Sequence, residues 1–190
     1  TLLDTVLRTN IFVDVIEEKP ILKNFLIKLE KKTKNDFNNL NTLDEEFIDQ
    51  MQNFYFQEQK KYQKNKSSKI VIDKLPLNII HVGEILRFFP NAKFVFALRH
   101  PYDSVLSCFM QQFILNPAMK NFLSIESSAF LYDLVMKLWN VYREKFSINF
   151  NIIKYEDIVT NFEKTTKEVF EYLDLDWTEQ TKDFYLTAKN

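Results

Sequence analysis

Glycine is nearly absent from this chain: its 190 residues hold one, Gly83. Phosphate-cradling loops normally need several glycines, because a backbone without Cβ brings its N–H groups close to the ligand. Either the chain binds no nucleotide, or a glycine-rich loop lies outside this stretch. Cysteine also occurs once, as Cys108, so no internal disulfide can form and a reducing, cytoplasmic setting is expected. Cys108 stands in an apolar helical run and reads as buried and inert. No apolar run approaches the ~20 residues that span a bilayer, and no signal peptide is visible, so no membrane partner is expected. Neither sign of charge is in excess: the formal net charge is -1, which argues against a general nucleic-acid partner but leaves room for a local positive pocket. His, Cys and carboxylates never fall at metal-ligand spacing, so no metal is expected. The first residue is Thr1, not methionine, and the last stretch stops without a helix terminator, so further sequence is expected beyond both ends.

What is present is ordinary for a globular protein. Hydrophobic residues make up 46% and charged residues 27%, enough for a single domain with a core over 1–190. Leu2, Leu3, Val6 and Leu7 share one helical face. Residues 11–16 are short and β-branched, and Pro20 opens a helix through about Leu29. A polar loop covers 31–43. Thr42, with Glu45 three residues on, makes a capping-box signal for a helix over 43–64. Ile70-Val71-Ile72 reads as a buried strand ending at Asp73-Lys74-Leu75-Pro76, and a helix over 78–88 follows. Residues 93–98 (KFVFAL) form the strongest strand, and the unbroken apolar run predicts burial on both faces. A helix then runs through about Phe113. A long amphipathic helix over 125–146 places Leu131, Leu134, Val135, Leu138 and Tyr142 inward. Phe150 to Ile153 is another strand, and a helix carrying Phe162, Val169, Phe170 and Leu173 comes after it.

Short apolar strands alternating with helices predict an α/β fold: three layers, α/β/α, around a central parallel sheet. In such sheets ligands bind beyond the carboxyl ends of the strands. That rule directs attention to Lys74, Arg99 and Tyr155, which follow three of them.

Those residues sit in recognisable motifs. Arg99-His100-Pro101-Tyr102-Asp103-Ser104-Val105-Leu106-Ser107 resembles the 3'-phosphate-binding motif of sulfotransferases that use 3'-phosphoadenosine 5'-phosphosulfate (PAPS). DKLPLN (73–78) and FFPNAKFVF (88–96) resemble the bacterial branch whose members often carry tetratricopeptide repeats, a branch related to the tyrosylprotein sulfotransferases. KYEDIV (154–159) and YLDLDW (172–177) are also similar to family sequences. The resemblance runs from Thr1 to about Trp177 and implies a P-loop nucleotide-hydrolase-like sulfotransferase fold. The family's glycine-rich phosphosulfate loop is represented here by Thr1-Leu2-Leu3 alone, which fits the glycine count.

The resemblance implies a role for each residue. Arg99 would grip the 3'-phosphate through its guanidinium fork, with the Ser107 hydroxyl donating to the same group. From the residues alone, Arg99 reads better as a strand-end ion-pair partner, for instance of Asp103, and it is the flanking resemblance that favours the phosphate role. Thr1 and Leu2 would be the last pieces of the phosphosulfate loop, the alternative being a frayed terminus. Tyr155 would pack near the adenosine, the alternative being an aromatic core plug. Glu18 matches the position of the catalytic glutamate of the tyrosylprotein enzymes and is preferred to Glu17 on register; otherwise both glutamates decorate the first turn of a helix. Lys74 resembles the lysine that stabilises the transferring sulfuryl group, with Asp73 orienting it. His81 is expected to be structural. His100 takes no role.

The expected activity is in-line sulfuryl transfer from PAPS to a hydroxyl acceptor, leaving 3',5'-adenosine bisphosphate (PAP), without a metal. The acceptor would be a peptide tyrosine or a small molecule, and tetratricopeptide repeats are an expectation for the full-length chain. Two other readings compete. A nucleoside-phosphate kinase would show a Walker lysine and a Mg²⁺-holding acid, and neither is visible. A non-catalytic binding domain retaining the fold is compatible with the aromatic richness.

Overall fold

The computed structural model describes residues 2–34 and 37–187. They divide into two compact units, Thr1–Ala92 with Asp174–Asn190, and Lys93–Leu173.

In the first unit, β1 (Val13–Glu17) and β2 (Ile70–Lys74) pair in parallel, Val13 opposite Ile70 and Glu17 opposite Lys74. A parallel pair needs a long crossover, supplied here by α2 (Ile21–Thr33) and α3 (Glu45–Tyr62). Leu22, Phe25, Leu26 and Leu29 recur at the spacing of one helix face. With Phe47 and Met51 of α3 and Phe88 of α4 (Val82–Phe88) they form a buried core. Phe25 meets Phe88 edge-on at 5.0 Å, a favoured ring arrangement. Before β1, α1 (Leu2–Leu7) buries Leu3, Val6 and Leu7. After residue 173 the unit gains a 3-10 turn over Glu179–Asp183 and α9 (Phe184–Thr187).

Two local expectations change. The helix opened by Pro20 continues past Leu29 to Thr33, and a 3-10 turn over Phe37–Thr42 replaces part of the polar loop. The cap of α3 is Asp44 rather than Thr42: its carboxylate accepts the Phe47 N–H at 2.7 Å, satisfying a donor that the first turn leaves orphaned. The Thr42 hydroxyl instead donates to the Asn39 carbonyl at 2.9 Å.

Glycine poverty has a structural counterpart. Gly83 sits in α4 without positive φ, whereas Glu18, Lys34 and Asp174 take φ of 52, 53 and 57°. A side chain in this left-handed region costs about 1–2 kcal/mol, which glycine avoids.

In the second unit, β3 (Phe94–Leu98) and β4 (Phe150–Lys154) are also parallel, Phe94 opposite Phe150. The crossover carries α5 (Pro101–Met110) and α6 (Ile125–Lys145). Trp139 of α6 is buried, with its ring 5.0 Å from Phe96 and 5.3 Å from Phe150. Periodicity alone passes over Trp139, and Leu134, expected inward, is exposed. The KFVFAL strand is half-buried and its Ala97 exposed, not covered on both faces; among the described strands β3 has one partner, β4. Asn161 separates α7 (Tyr155–Thr160) from α8 (Phe162–Tyr172), whose Thr165, Thr166, Val169 and Phe170 are buried.

The mixed α/β class with parallel strands is therefore as the sequence predicts; among the described residues the strands form two two-stranded parallel sheets, one in each unit. No described helix is long and apolar enough to cross a membrane.

Candidate functional site

In a parallel pair both strands finish at the same edge, so the last residues of β1 and β2 emerge together. Lys74 Nζ donates to Glu17 Oε1 at 2.8 Å and to Glu18 Oε1 at 3.1 Å, and lies 3.6 Å from Asp4 Oδ2 of α1. Arg8 Nη2 approaches Glu17 Oε2 at 3.8 Å. One ammonium thus faces three carboxylates. Burial pulls the Lys74 pKa down, but the hydrogen bonds to Glu17 and Glu18 and the charge of Asp4 more than offset this, holding it above the ordinary lysine range. The same Lys74 hydrogen bond, against a smaller effect of burial, keeps the Glu17 carboxyl below the usual range.

Glu18 is placed by its backbone. Its N–H donates to the Lys74 carbonyl at 2.8 Å, extending the ladder one residue past β1, and the left-handed φ then turns the chain toward Pro20. Since α2 begins at Ile21, neither glutamate decorates a helical first turn. That alternative is excluded.

Asp73 does not orient Lys74 directly. Successive strand side chains point to opposite faces, and the Asp73 carboxylate accepts the Tyr55 hydroxyl of α3 at 2.8 Å. His81 contacts Glu84 within its own turn, Nδ1 to Oε1 at 3.3 Å, in keeping with a structural residue.

In the second unit, Arg99 follows β3 directly. Its guanidinium lies over the Tyr155 ring at 5.4 Å, and its Nε is 3.8 Å from Asp103 Oδ2. Arg99 and Asp103 are both about half exposed, so this ion pair is weak in water. Tyr155 opens α7 with 43% of its surface exposed, which rules out a core plug. A cation over an aromatic face is a favourable contact, and it ties the ends of β3 and β4 together. The His100 N–H donates to Glu156 Oε1 at 2.9 Å, which with nearby charge holds that carboxyl low. Ser107 lies two turns into α5 with an exposed side chain, and no hydrogen bond among the described residues joins it to Arg99. Cys108 is half-buried rather than buried, and burial raises its thiol pKa.

Thr1 lies outside the described residues. Leu2, half-buried, is the first residue of α1. Sequence reasoning missed Asp4 and Tyr55. A carboxylate inside the apolar stripe of α1 is the signal that marks Asp4; Tyr55 carries none beyond an aromatic on an amphipathic helix. A polar cleft of about 280 Å³ between β4 and α8, lined by Asn151, Lys154, Asp157, Asn161 and Lys164, contains none of the predicted residues. Its mixed charges favour no single ligand. Among the described residues no group of three His, Cys, Asp or Glu side chains could hold a metal ion.

Comparison with known proteins bears on the fold and the family. The solved sulfotransferase domain from the curacin biosynthetic pathway superposes with a TM-score of 0.56 at 18% identity, covering 97% of this chain and 72% of that one, which shows the fold. An uncharacterized protein of Aquifex aeolicus (strain VF5) is 25% identical over 131 residues, 63% of this chain. The match spans 16% of that relative's length. The model of the Sulfotransferase family matches residues 11–179, from β1 through α8. That match covers most of the chain, and this chain belongs to the sulfotransferase family.

Proposed function

We propose that the protein transfers a sulfuryl group from PAPS to a hydroxyl acceptor. The observation that carries this reading is Lys74 Nζ set 3.1 Å from Glu18 Oε1 beyond a parallel strand pair, in a chain of this family. The acceptor oxygen attacks sulfur and a new S–O bond forms. The bridging S–O bond to the nucleotide breaks, and its electron pair leaves on PAP. Glu18 takes the acceptor's proton, and Lys74, protonated at neutral pH, offsets negative charge on the sulfuryl group as it passes. The hydrogen bond from Lys74 keeps the proton affinity of Glu17 low, which disfavours Glu17 as the base. The transferred group carries less charge than a phosphoryl group, so no metal clamp is needed.

Arg99, Ser107 and Tyr155 are assigned to the 3'-phosphate and adenosine, and Thr1 and Leu2 to the end of the phosphosulfate loop. Residues 1–190 then act as part of one catalytic domain in a cytoplasmic protein. The acceptor, a peptide tyrosine or a small molecule, belongs to the same proposal, as do tetratricopeptide repeats elsewhere in the full-length chain.

The test is PAP binding by the full-length protein, measured calorimetrically. Hydrogen bonds to charged groups contribute about 1.5–3 kcal/mol, so Arg99→Ala should weaken PAP about 10- to 100-fold. Parent protein that ignores PAP, or an Arg99→Ala variant that binds it equally well, defeats the reading. Mg²⁺-dependent binding of ADP in place of PAP would instead point to a kinase.

A further inference from the structure

The Asp73 carboxyl is the least economical group in the first unit. It is largely buried, one oxygen receives the Tyr55 hydroxyl at 2.8 Å, and the other, Oδ1, is buried with no hydrogen-bond partner among the described residues. Burial raises its pKa against the lowering effect of that hydrogen bond. A buried polar atom left unsatisfied is destabilising, and an apolar pair of similar shape would avoid that cost. Such costs concentrate at functional sites.

The neighbouring residues show what the pair can do. Tyr55 is clamped by rings: Phe89 at 5.0 Å, Phe56 at 5.8 Å and Phe25 at 6.1 Å. Phe25 and Phe89 come from outside α3, so the hydroxyl is held by the aromatic core rather than by its own helix. Asp73 immediately precedes Lys74 at the end of β2, and the two side chains leave opposite faces of the strand. Pinning one therefore fixes the direction of the other. Lys74 is also the last residue of β2 before the chain turns into the 3-10 turn over Pro76–His81, where ladder bonds no longer hold it on both sides.

We propose that Tyr55 is a positioning residue for Lys74, acting through Asp73: its hydroxyl anchors β2 to the aromatic core so that Lys74 projects among Asp4, Glu17 and Glu18. The consequence for turnover rests on the sulfuryl-transfer reading; the placement of Lys74 does not. The experiment separates them by reading the lysine itself. Full-length protein is treated with limiting acetic anhydride, and the labelling rate of Lys74 Nζ is followed by mass spectrometry with the exposed Lys61 as internal standard. Tyr55→Phe, which keeps the ring and its packing, should raise Lys74 labelling at least threefold, and Asp73→Ala should do the same. Asp73→Asn, which keeps an acceptor for the hydroxyl but not the charge, should label at the parent rate, and it serves as the decisive arm should Tyr55→Phe fold poorly. Unchanged labelling in Tyr55→Phe overturns the proposal, as does Asp73→Asn labelling as fast as Asp73→Ala. Where the parent transfers sulfate, Tyr55→Phe should also lower kcat about tenfold with the donor KM within twofold, and a change in KM alone counts against positioning. A faster-labelled Lys74 in a protein without transfer activity would uphold the anchor and reject the activity.

Discussion

Glu18→Gln should lower kcat by about 10²- to 10⁴-fold, the range that a positioned general base contributes. The substitution keeps an oxygen able to accept from Lys74 and leaves the left-handed backbone as it is, so thermal stability should hardly move. The measurement is steady-state turnover with saturating PAPS. Glu17→Gln is the informative partner: Glu17 already binds Lys74 at 2.8 Å with a depressed pKa, so its loss should cost much less. Turnover within twofold of the parent in Glu18→Gln would withdraw Glu18 from the chemistry, and a large effect in Glu17→Gln instead would move the role by one residue.

Lys74→Met should have two effects of different origin. On the proposed mechanism, removing a positive charge from beside the transferring group should lower kcat about 10²- to 10³-fold, as deletion of a single stabilising donor does elsewhere. It also leaves Asp4, Glu17 and Glu18 facing one another without their shared cation. In the parent, the depressed Glu17 pKa contributes stability above the unfolded carboxylate pKa, and this is lost as pH falls through the folded value. In the variant that contribution is gone, and the three carboxylates repel one another when ionised. The stability difference should therefore be largest at neutral pH and close as pH falls into the carboxylate range. Chemical denaturation at stepped pH checks it. A difference that widens on acidification would mean that the cluster does not couple through Lys74.

The parts of this arrangement legible in the sequence are those fixed by local grammar. A β-branched run ending in DKLP marks a strand with a lysine at its tip, and Pro20 sets where α2 begins, which leaves Glu17 and Glu18 at the strand end. The paired ends of β1 and β2 follow from crossover topology. Contacts made across the fold were not legible. Asp4 reaches Lys74 from a helix 70 positions earlier in the chain, and no periodicity encodes that approach. Tyr55 looks like any aromatic on an amphipathic helix until Asp73 is seen beneath it. Thr42 and Asp44 both satisfy the chemistry of a cap, and the choice went to the side chain whose oxygen reaches the third helical N–H. Strand burial misled for a further reason: an apolar run reports what could be covered, while the cover itself comes from other segments.

Position 18 also bears on how this protein would respond to laboratory evolution. Glu18→Gly relieves the steric penalty of φ 52° and should stabilise the fold by about 0.5–1 kcal/mol once glycine's greater unfolded-state freedom is subtracted; the exposed ion pair it gives up is worth little. A library scored only on survival after heating would therefore enrich a substitution that deletes the proposed base. Heat-hardened winners need a turnover screen beside the thermal one, or the selection will remove the reaction it set out to protect.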